Sequence, residues 1–231
     1  NGRIHELDKE ELHDYQKLKK ALIYCNDCNY DFNKKKMSEA LHGDPTETAL
    51  VDMGFSLDFD PSRFDEFPRV EEIPFDSERK LMTTVNKVGD KYIVYTKGGI
   101  DELLAKCNRY LENGQVKEDT PDFEKQVDIY NEEMAKGALR VLAMAYKEID
   151  HIPSKEEMKK IENDLVFIGL VGMIDPPRLE VKDAVEKCKS AGIKTVMITG
   201  DHKITAVAIA KELGILTNEN EAITGAELEN M

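Results

Sequence analysis

The sequence has 231 residues, 41% of them apolar, and a formal net charge of −14. That length and composition suit one large soluble domain or two smaller ones with real cores. The acidity repels nucleic acid and anionic lipid, so an anionic ligand needs a local basic pocket.

The longest apolar run, Val166 to Ile174, falls far short of the roughly 20 residues that span a bilayer. No secretory signal opens the sequence. Four cysteines fit a reduced cytosolic protein. Cys25 and Cys28 have C-x-x-C spacing, but no second ligand pair follows at zinc-site distance. We therefore expect Cys25 in the core, Cys28 at a helix end or in a loop, and no metal site. Cys107 and Cys188 fall in helical patterns and read as packing residues.

In chain order, residues 9–25 place Leu12, Tyr15, Leu18, Leu22 and Cys25 on one helical face. Asp44-Pro45 opens a helix that runs from about Thr46 to Gly54. Residues 56–68 read as loop. Strands are expected over 70–97, with Lys80–Val85 and Lys91–Thr96 flanking a Gly89-Asp90 turn. A helix over Ile100–Cys107 follows, then a hairpin with Asn113-Gly114 at its tip. Thr120-Pro121 caps a helix ending near Gly137, and 139–146 alternates as a strand. Ser154-Lys155-Glu156-Glu157 is a capping box.

After Leu165 the pattern changes. Val166–Ile174 reads as a buried strand, Leu179–Ala191 as a helix stopped by Gly192, Ile193–Thr199 as a strand, and Ile204–Leu213 as a helix stopped by Gly214. This run predicts a parallel α/β unit after an antiparallel sheet with helices, with the boundary near Met173.

Two segments carry signals for phosphate. The apolar strand ending at Thr199 runs into Gly200-Asp201 and a helix. That places a hydroxyl and free helix N–H groups at the carboxyl end of a strand, where open α/β sheets bind phosphates. The bland alternative is a strand end followed by a helix cap at Asp201. Asp175-Pro176-Pro177-Arg178 forms a rigid extended exit from the preceding strand, or simply a stiff linker.

The first hairpin adds a geometric argument. With a two-residue Gly89-Asp90 turn, Val88 pairs with Lys91 and Met82 with Lys97. Lys80 then shares a face with Met82, so Lys80 and Lys97 lie close together beside Tyr95. Like charges so placed are unfavourable unless an anion lies near them. From spacing alone, two solvated lysines remain the favoured reading. Phe75 reads by default as a core aromatic, although a ring beside two lysines suits an adenine. Arg140, alone, reads as a surface arginine.

An ordered series of motifs decides among these. It comprises Gly43-Asp44-Pro45-Thr46-Glu47-Thr48-Ala49, Phe75-Asp76-Ser77-Glu78-Arg79-Lys80, Thr96-Lys97-Gly98-Gly99, Leu139-Arg140-Val141-Leu142-Ala143, Asp175-Pro176-Pro177-Arg178 and Met197-Ile198-Thr199-Gly200-Asp201-His202. The series resembles the large cytosolic loop of P-type cation-transporting ATPases, most closely the calcium-pump-like branch, over essentially the whole chain.

The resemblance implies an α+β nucleotide-binding domain over residues 1–173, an antiparallel sheet flanked by helices. A partial α/β phosphorylation domain of haloacid-dehalogenase-like fold would follow over 174–231. It implies that Glu47 faces the adenine amino group and Phe75 stacks on the adenine. Lys80, Lys97 and Gly98 would line the nucleotide pocket, and Arg140 would contact the phosphates. Thr199, Gly200, Asp201 and Asp175 would belong to the catalytic phosphate region.

Two departures stand out. Ser77 occupies a position that often carries arginine, so either one contact is absent or Arg79 substitutes. Gly99 occupies a position where alanine is common. The sequence contains no Asp-Lys-Thr-Gly-Thr segment, which carries the phosphorylated aspartate, and no Gly-Asp-Gly-x-Asn-Asp segment, which helps hold magnesium.

The resemblance thus implies a soluble, monomeric fragment of a pump, on the cytoplasmic side of a membrane. It would bind ATP or ADP without turnover. Its partners would be the transmembrane and actuator domains of the same polypeptide, with Mg2+ as cofactor in the full-length pump and no nucleic acid. The competing readings are a soluble haloacid-dehalogenase-type phosphatase and a non-catalytic nucleotide-binding module.

Overall fold

The computed structural model describes residues 11–34, 36–137, 139–174, 179–199, 203–218 and 221–229. Its first elements are α1 (Glu11–Tyr24), β1 (Asn29–Tyr30), α2 (Met37–Ala40), β2 (Leu41–His42) and α3 (Pro45–Ser56). Then come β3 (Arg69–Asp76), β4 (Leu81–Val88), β5 (Lys91–Gly98), α4 (Ile100–Leu104), β6 (Cys107–Glu112) and β7 (Gln115–Glu118). The rest are α5 (Pro121–Lys136), β8 (Leu139–Ile149), α6 (Lys155–Met158), β9 (Leu165–Ile174), α7 (Leu179–Ser190), α8 (Lys203–Glu212) and α9 (Gly225–Glu229).

The hairpin register follows from its turn. Gly89 takes φ +61°, a conformation that costs glycine little, and the two-residue turn sets Val88 opposite Lys91 and Met82 opposite Lys97. The second hairpin closes through Asn113 at φ +50° and Gly114 at φ +74°, with Glu112 opposite Gln115. The main sheet has seven strands in the order β3-β4-β5-β8-β9-β6-β7. It is mixed rather than antiparallel, because β6 pairs parallel with β9.

Contacts divide the chain into two units. The first holds the described residues of Asn1–Glu124 and Leu142–Val171, the second those of Lys125–Val141 and Gly172–Met231. In the first, β4 and β5 are buried on both faces. On one face α1 covers them: Tyr24 stacks on Tyr95 at 6.3 Å, Thr84 Oγ1 donates to the Tyr24 carbonyl at 3.0 Å, and Cys25 Sγ donates to the carbonyls of Met82 and Tyr95. On the other, Val85 and Val94 pack with Ile161, flanked by Val70, Ile73, Tyr92, Ile149 and Met158. Alternation along a strand assigns Met82, Thr84, Tyr95 and Lys97 to the first face and Thr83, Val85, Val94 and Thr96 to the second. Helix α3 lies tight against α1, because a Cβ on Gly54 would fall 2.8 Å from Ile23 Cδ1. The loop expected over 56–68 contains one 3-10 turn, Pro61–Arg63, capped by Asp60.

In the second unit, α7 and α8 end alike. Gly192 and Gly214 take φ +74° and +71°, and the residue after each donates back to a carbonyl five residues earlier, Ile193 to Cys188 and Ile215 to Ala210. Here the sequence expectation fails in one place. Ile193–Thr199 forms no strand, and Val196 and Ile198 are 73% and 93% exposed. A strand needs a ladder partner, and among the described residues none pairs with this segment. The expected parallel α/β sheet of the second unit is therefore not formed among them.

Cys107 opens strand β6 rather than a helix. Residues 107–112 pair with β7 and β9, and that pairing overrides the helical spacing. Burial pushes its thiol up to about 12. Cys25 is fully buried and pushed up to about 11 by the same cause, which leaves it inert. Cys28 is buried in a loop.

Candidate functional site

Helix α3 begins where Asp44 accepts a hydrogen bond from the Thr46 amide at 2.9 Å, with Pro45 in its first turn. That start brings Glu47 into the first turn, pointing toward the end of β5. Glu47 Oε1 accepts from Lys97 Nζ at 2.5 Å, and Oε2 accepts from the Asp27 amide at 2.9 Å. The Asn26 side-chain amide donates to the Glu47 carbonyl at 2.9 Å. The side chains of Lys97 and Glu47 are only 6% and 17% exposed. An ion pair so far out of water stands only because each charge holds the other.

Gly98 follows at the strand end. A Cβ there would fall 2.1 Å from the Lys80 carbonyl oxygen, so only glycine fits. That carbonyl accepts from the Gly99 amide at 3.1 Å. The β3–β4 turn is folded by Asp76, whose Oδ1 accepts from the amides of Glu78 and Arg79. Phe75 lies beside this turn at the end of β3 and is 63% exposed. Asp76, Leu81, Gly98 and Ala143 stand in successive pairs across β3, β4, β5 and β8, so Phe75 and Gly98 share one end of the sheet.

Lys80 departs from the expected geometry. It sits in the turn at φ +54°, where strand alternation has stopped. Its ammonium donates to Glu102 Oε1 at 2.5 Å, in the first turn of α4. That hydrogen bond raises the Lys80 pKa and lowers that of Glu102. The two lysines therefore each hold a carboxylate of their own instead of facing one shared anion. Arg79, the candidate substitute at the Ser77 position, donates to Glu162 Oε1 at 2.7 Å and to the Pro74 carbonyl at 2.6 Å.

The structure brings Glu47 and Lys97 into contact and sets Phe75, Lys80 and Gly98 at the same sheet end. Arg140 opens β8, exposed, and belongs to the second unit. Thr199 is exposed in the same unit. Asp175, Gly200 and Asp201 lie outside the described residues. Glu102 and Glu162 were missed by the sequence reading. Glu102 carried a faint signal, an acidic residue three positions after the Gly98-Gly99 pair at a helix start. Glu162 lies in the turn before β9 and carried none. Among the described residues no group of three or more His, Cys, Asp or Glu could hold a metal ion, and no helix is long and apolar enough to cross a membrane.

Comparison with known proteins supplies the context. Residues 14–180 match the family described as P-type ATPase, cytoplasmic domain N. The chain is 44% identical over 215 residues to calcium-transporting ATPase 1 of Bacillus cereus, covering 93% of this chain and 23% of that protein. It is 43% identical over 218 residues to calcium-transporting ATPase 1 of Lactococcus lactis, covering 94% and 24%. It is 38% identical over 192 residues to the sodium/potassium-transporting ATPase subunit alpha-4 of Rattus norvegicus, covering 78% and 18%. The chain thus spans about a quarter of the length of its bacterial relatives. It belongs to the P-type ATPase family and carries that family's cytoplasmic domain N.

Proposed function

We propose that this chain holds the adenine nucleotide of a membrane cation pump, with calcium as the transported ion, as the names of its bacterial relatives suggest. The observation that carries the reading is the end of the sheet around Gly98. There a buried Lys97–Glu47 pair lies behind a glycine backbone, and the exposed Phe75 ring shares the same end. An exposed ring next to a glycine-lined strand end suits a flat, apolar base, and the exposed Lys80 beside it suits phosphate charge. ATP fits these residues.

In this reading Phe75 stacks on the adenine and Glu47 accepts from its amino group. Lys97 holds Glu47 in place through their 2.5 Å hydrogen bond, and Gly98 lets the ligand approach the backbone. Lys80 balances phosphate charge. When bound, ATP would supply a γ-phosphoryl group for transfer to an aspartate carboxylate absent from this sequence, with ADP as the leaving group and Mg2+ offsetting phosphate charge. Catalysis of that kind rests on positioning and charge neutralisation. The chain alone therefore binds nucleotide without turning it over.

The reading further takes residues 1–173 as the nucleotide domain. Residues 174–231 are part of a haloacid-dehalogenase-like phosphorylation domain, with Asp175, Thr199, Gly200 and Asp201 around the transferred phosphate. The whole lies on the cytoplasmic side of a membrane, joined to transmembrane and actuator domains. Calorimetric titration of ATP into the chain and into Lys97→Ala tests it. Saturable binding weakened by the substitution supports the site, and absence of binding to the folded, unsubstituted chain removes it.

A further inference from the structure

We propose that Glu162 and Arg79 are positioning residues for the nucleotide site, their ion pair clamping the turn that carries Phe75 and Lys80 onto the far face of the sheet. The inference rests on the nucleotide reading of the Phe75 end.

The two faces of the β4–β5 pair each carry one sheltered acid–base pair. Lys97 and Glu47 occupy the α1 side. On the opposite side Thr83 and Thr96, directly paired, place their hydroxyls 3.0 Å apart, and Thr83 Oγ1 donates to Glu162 Oε1 at 2.6 Å. The same oxygen accepts from Arg79 Nη1 at 2.7 Å. Both threonines are fully buried, and the Glu162 side chain is 10% exposed. A carboxylate taken this far from water must be matched by donors, and Thr83 with Arg79 matches it.

Arg79 extends the link. Its Nη2 donates to the Pro74 carbonyl at 2.6 Å, the residue before Phe75, while its backbone amide donates to Asp76 Oδ1 at 2.9 Å. One guanidinium therefore ties the strand residue before the ring to a fixed carboxylate, and one amide folds the turn after it. Lys80 is the next residue. The chain Thr96, Thr83, Glu162, Arg79, Pro74 runs from the buried sheet to the exposed ring. A planar, forked donor suits this double duty, and a lysine would satisfy only one arm. Without the link, Phe75 keeps its exposure but loses its fixed position, and ordering it falls to the ligand.

The chain contains no tryptophan, so Phe75→Trp gives a single reporter at the ring. The experiment compares this background with Glu162→Gln, with Arg79→Met and with both changes. It measures acrylamide quenching without ligand, calorimetric affinity for ATP, adenosine and tripolyphosphate, and thermal unfolding. We expect Glu162→Gln to raise quenching and to weaken ATP and adenosine by about fivefold, leaving tripolyphosphate unchanged. Arg79→Met does the same, and the double variant is no worse than the poorer single one. A merely structural role would lower Tm and leave the affinity of the folded protein and the ring's quenching unmoved, which overturns the proposal. Loss of tripolyphosphate affinity in Arg79→Met alone also overturns it, because Arg79 would then touch phosphate directly. If the unsubstituted chain binds no ATP but quenching still rises in Glu162→Gln, the nucleotide reading falls and the clamp stands. Arg79→Lys, altered at the more exposed partner, provides the same comparison if Glu162→Gln does not fold.

Discussion

Lys97 and Glu47, 50 residues apart in sequence, meet with 2.5 Å between ammonium and carboxylate, and only a small part of either side chain reaches solvent. Each is therefore a liability without the other. Lys97→Met should destabilise the chain by about 3 kcal/mol, because it strands the Glu47 charge. The double change Lys97→Met, Glu47→Leu should regain most of that loss. Urea denaturation of the four forms measures it. The double variant should be stable and yet fail to bind ATP, which separates the pair's role in folding from its role at the site.

Phe75 presents the reverse case. The residue is 63% exposed, so Phe75→Ala should change stability by no more than about 0.5 kcal/mol. In the proposed site the ring stacks on adenine, and its loss should weaken ATP binding by about tenfold, or about 1.4 kcal/mol. Phe75→Trp should retain binding. Calorimetry beside thermal unfolding decides the matter, and equal affinity in Phe75→Ala would remove stacking from the site.

The neighbouring glycines should respond differently to alanine. At Gly98 the new methyl would fall 2.1 Å from a backbone oxygen, and backbone cannot step aside cheaply. Gly98→Ala should cost about 3 kcal/mol and distort the strand end. At Gly99 the obstacle is Glu102 Oε2, 2.2 Å away at the tip of a flexible side chain. Gly99→Ala should fold well and push Glu102 off Lys80. The Lys80 pKa, raised by that contact, should then fall, and Lys80 should react faster with an amine-directed reagent near its titration range. Site-resolved labelling by mass spectrometry checks this.

The capping box of α6 predicts an acid-limb effect. Hydrogen bonds from the Ser154 amide and hydroxyl, with His151 beside them, hold the Glu157 carboxyl down to about 2, against 4.5 ordinarily. A depressed carboxylate contributes stability above its unfolded pKa and loses it as pH falls toward the folded one. Glu157→Gln should therefore be less stable than the parent at pH 7. The difference should shrink between about pH 4.5 and pH 2. Parallel denaturation curves across that range would show a constant gap if the cap contributed nothing.

Much of the sheet end was legible in sequence because strand alternation and a two-residue turn are local rules. Gly89-Asp90 sufficed to pair Met82 with Lys97, and Asp44-Pro45 sufficed to start α3. Lys80 was misplaced because alternation was carried one residue past the strand, into a turn where φ is positive. Glu102 and Glu162 lie 22 and 83 positions from the residues they serve, Lys80 and Arg79, and no local pattern announces such partners. Cys107 and Ile193–Thr199 show the same limit from two sides. A helical spacing yielded to available strand partners, and a strand pattern found no partner among the described residues.

The two sheltered ion pairs, one on each face of the hairpin, have a consequence for how the chain comes to be folded. A hairpin that closes one residue out of step exchanges its faces. Lys97 would then leave Glu47 and move to the face that holds Arg79, adding a second cation there, while Glu47 would lose its cation. In the packed fold each error strands charge away from water, so the mispaired register is costly. The carboxylates thus penalise an out-of-step register from both sides once α3 and the turn before β9 have packed against the hairpin.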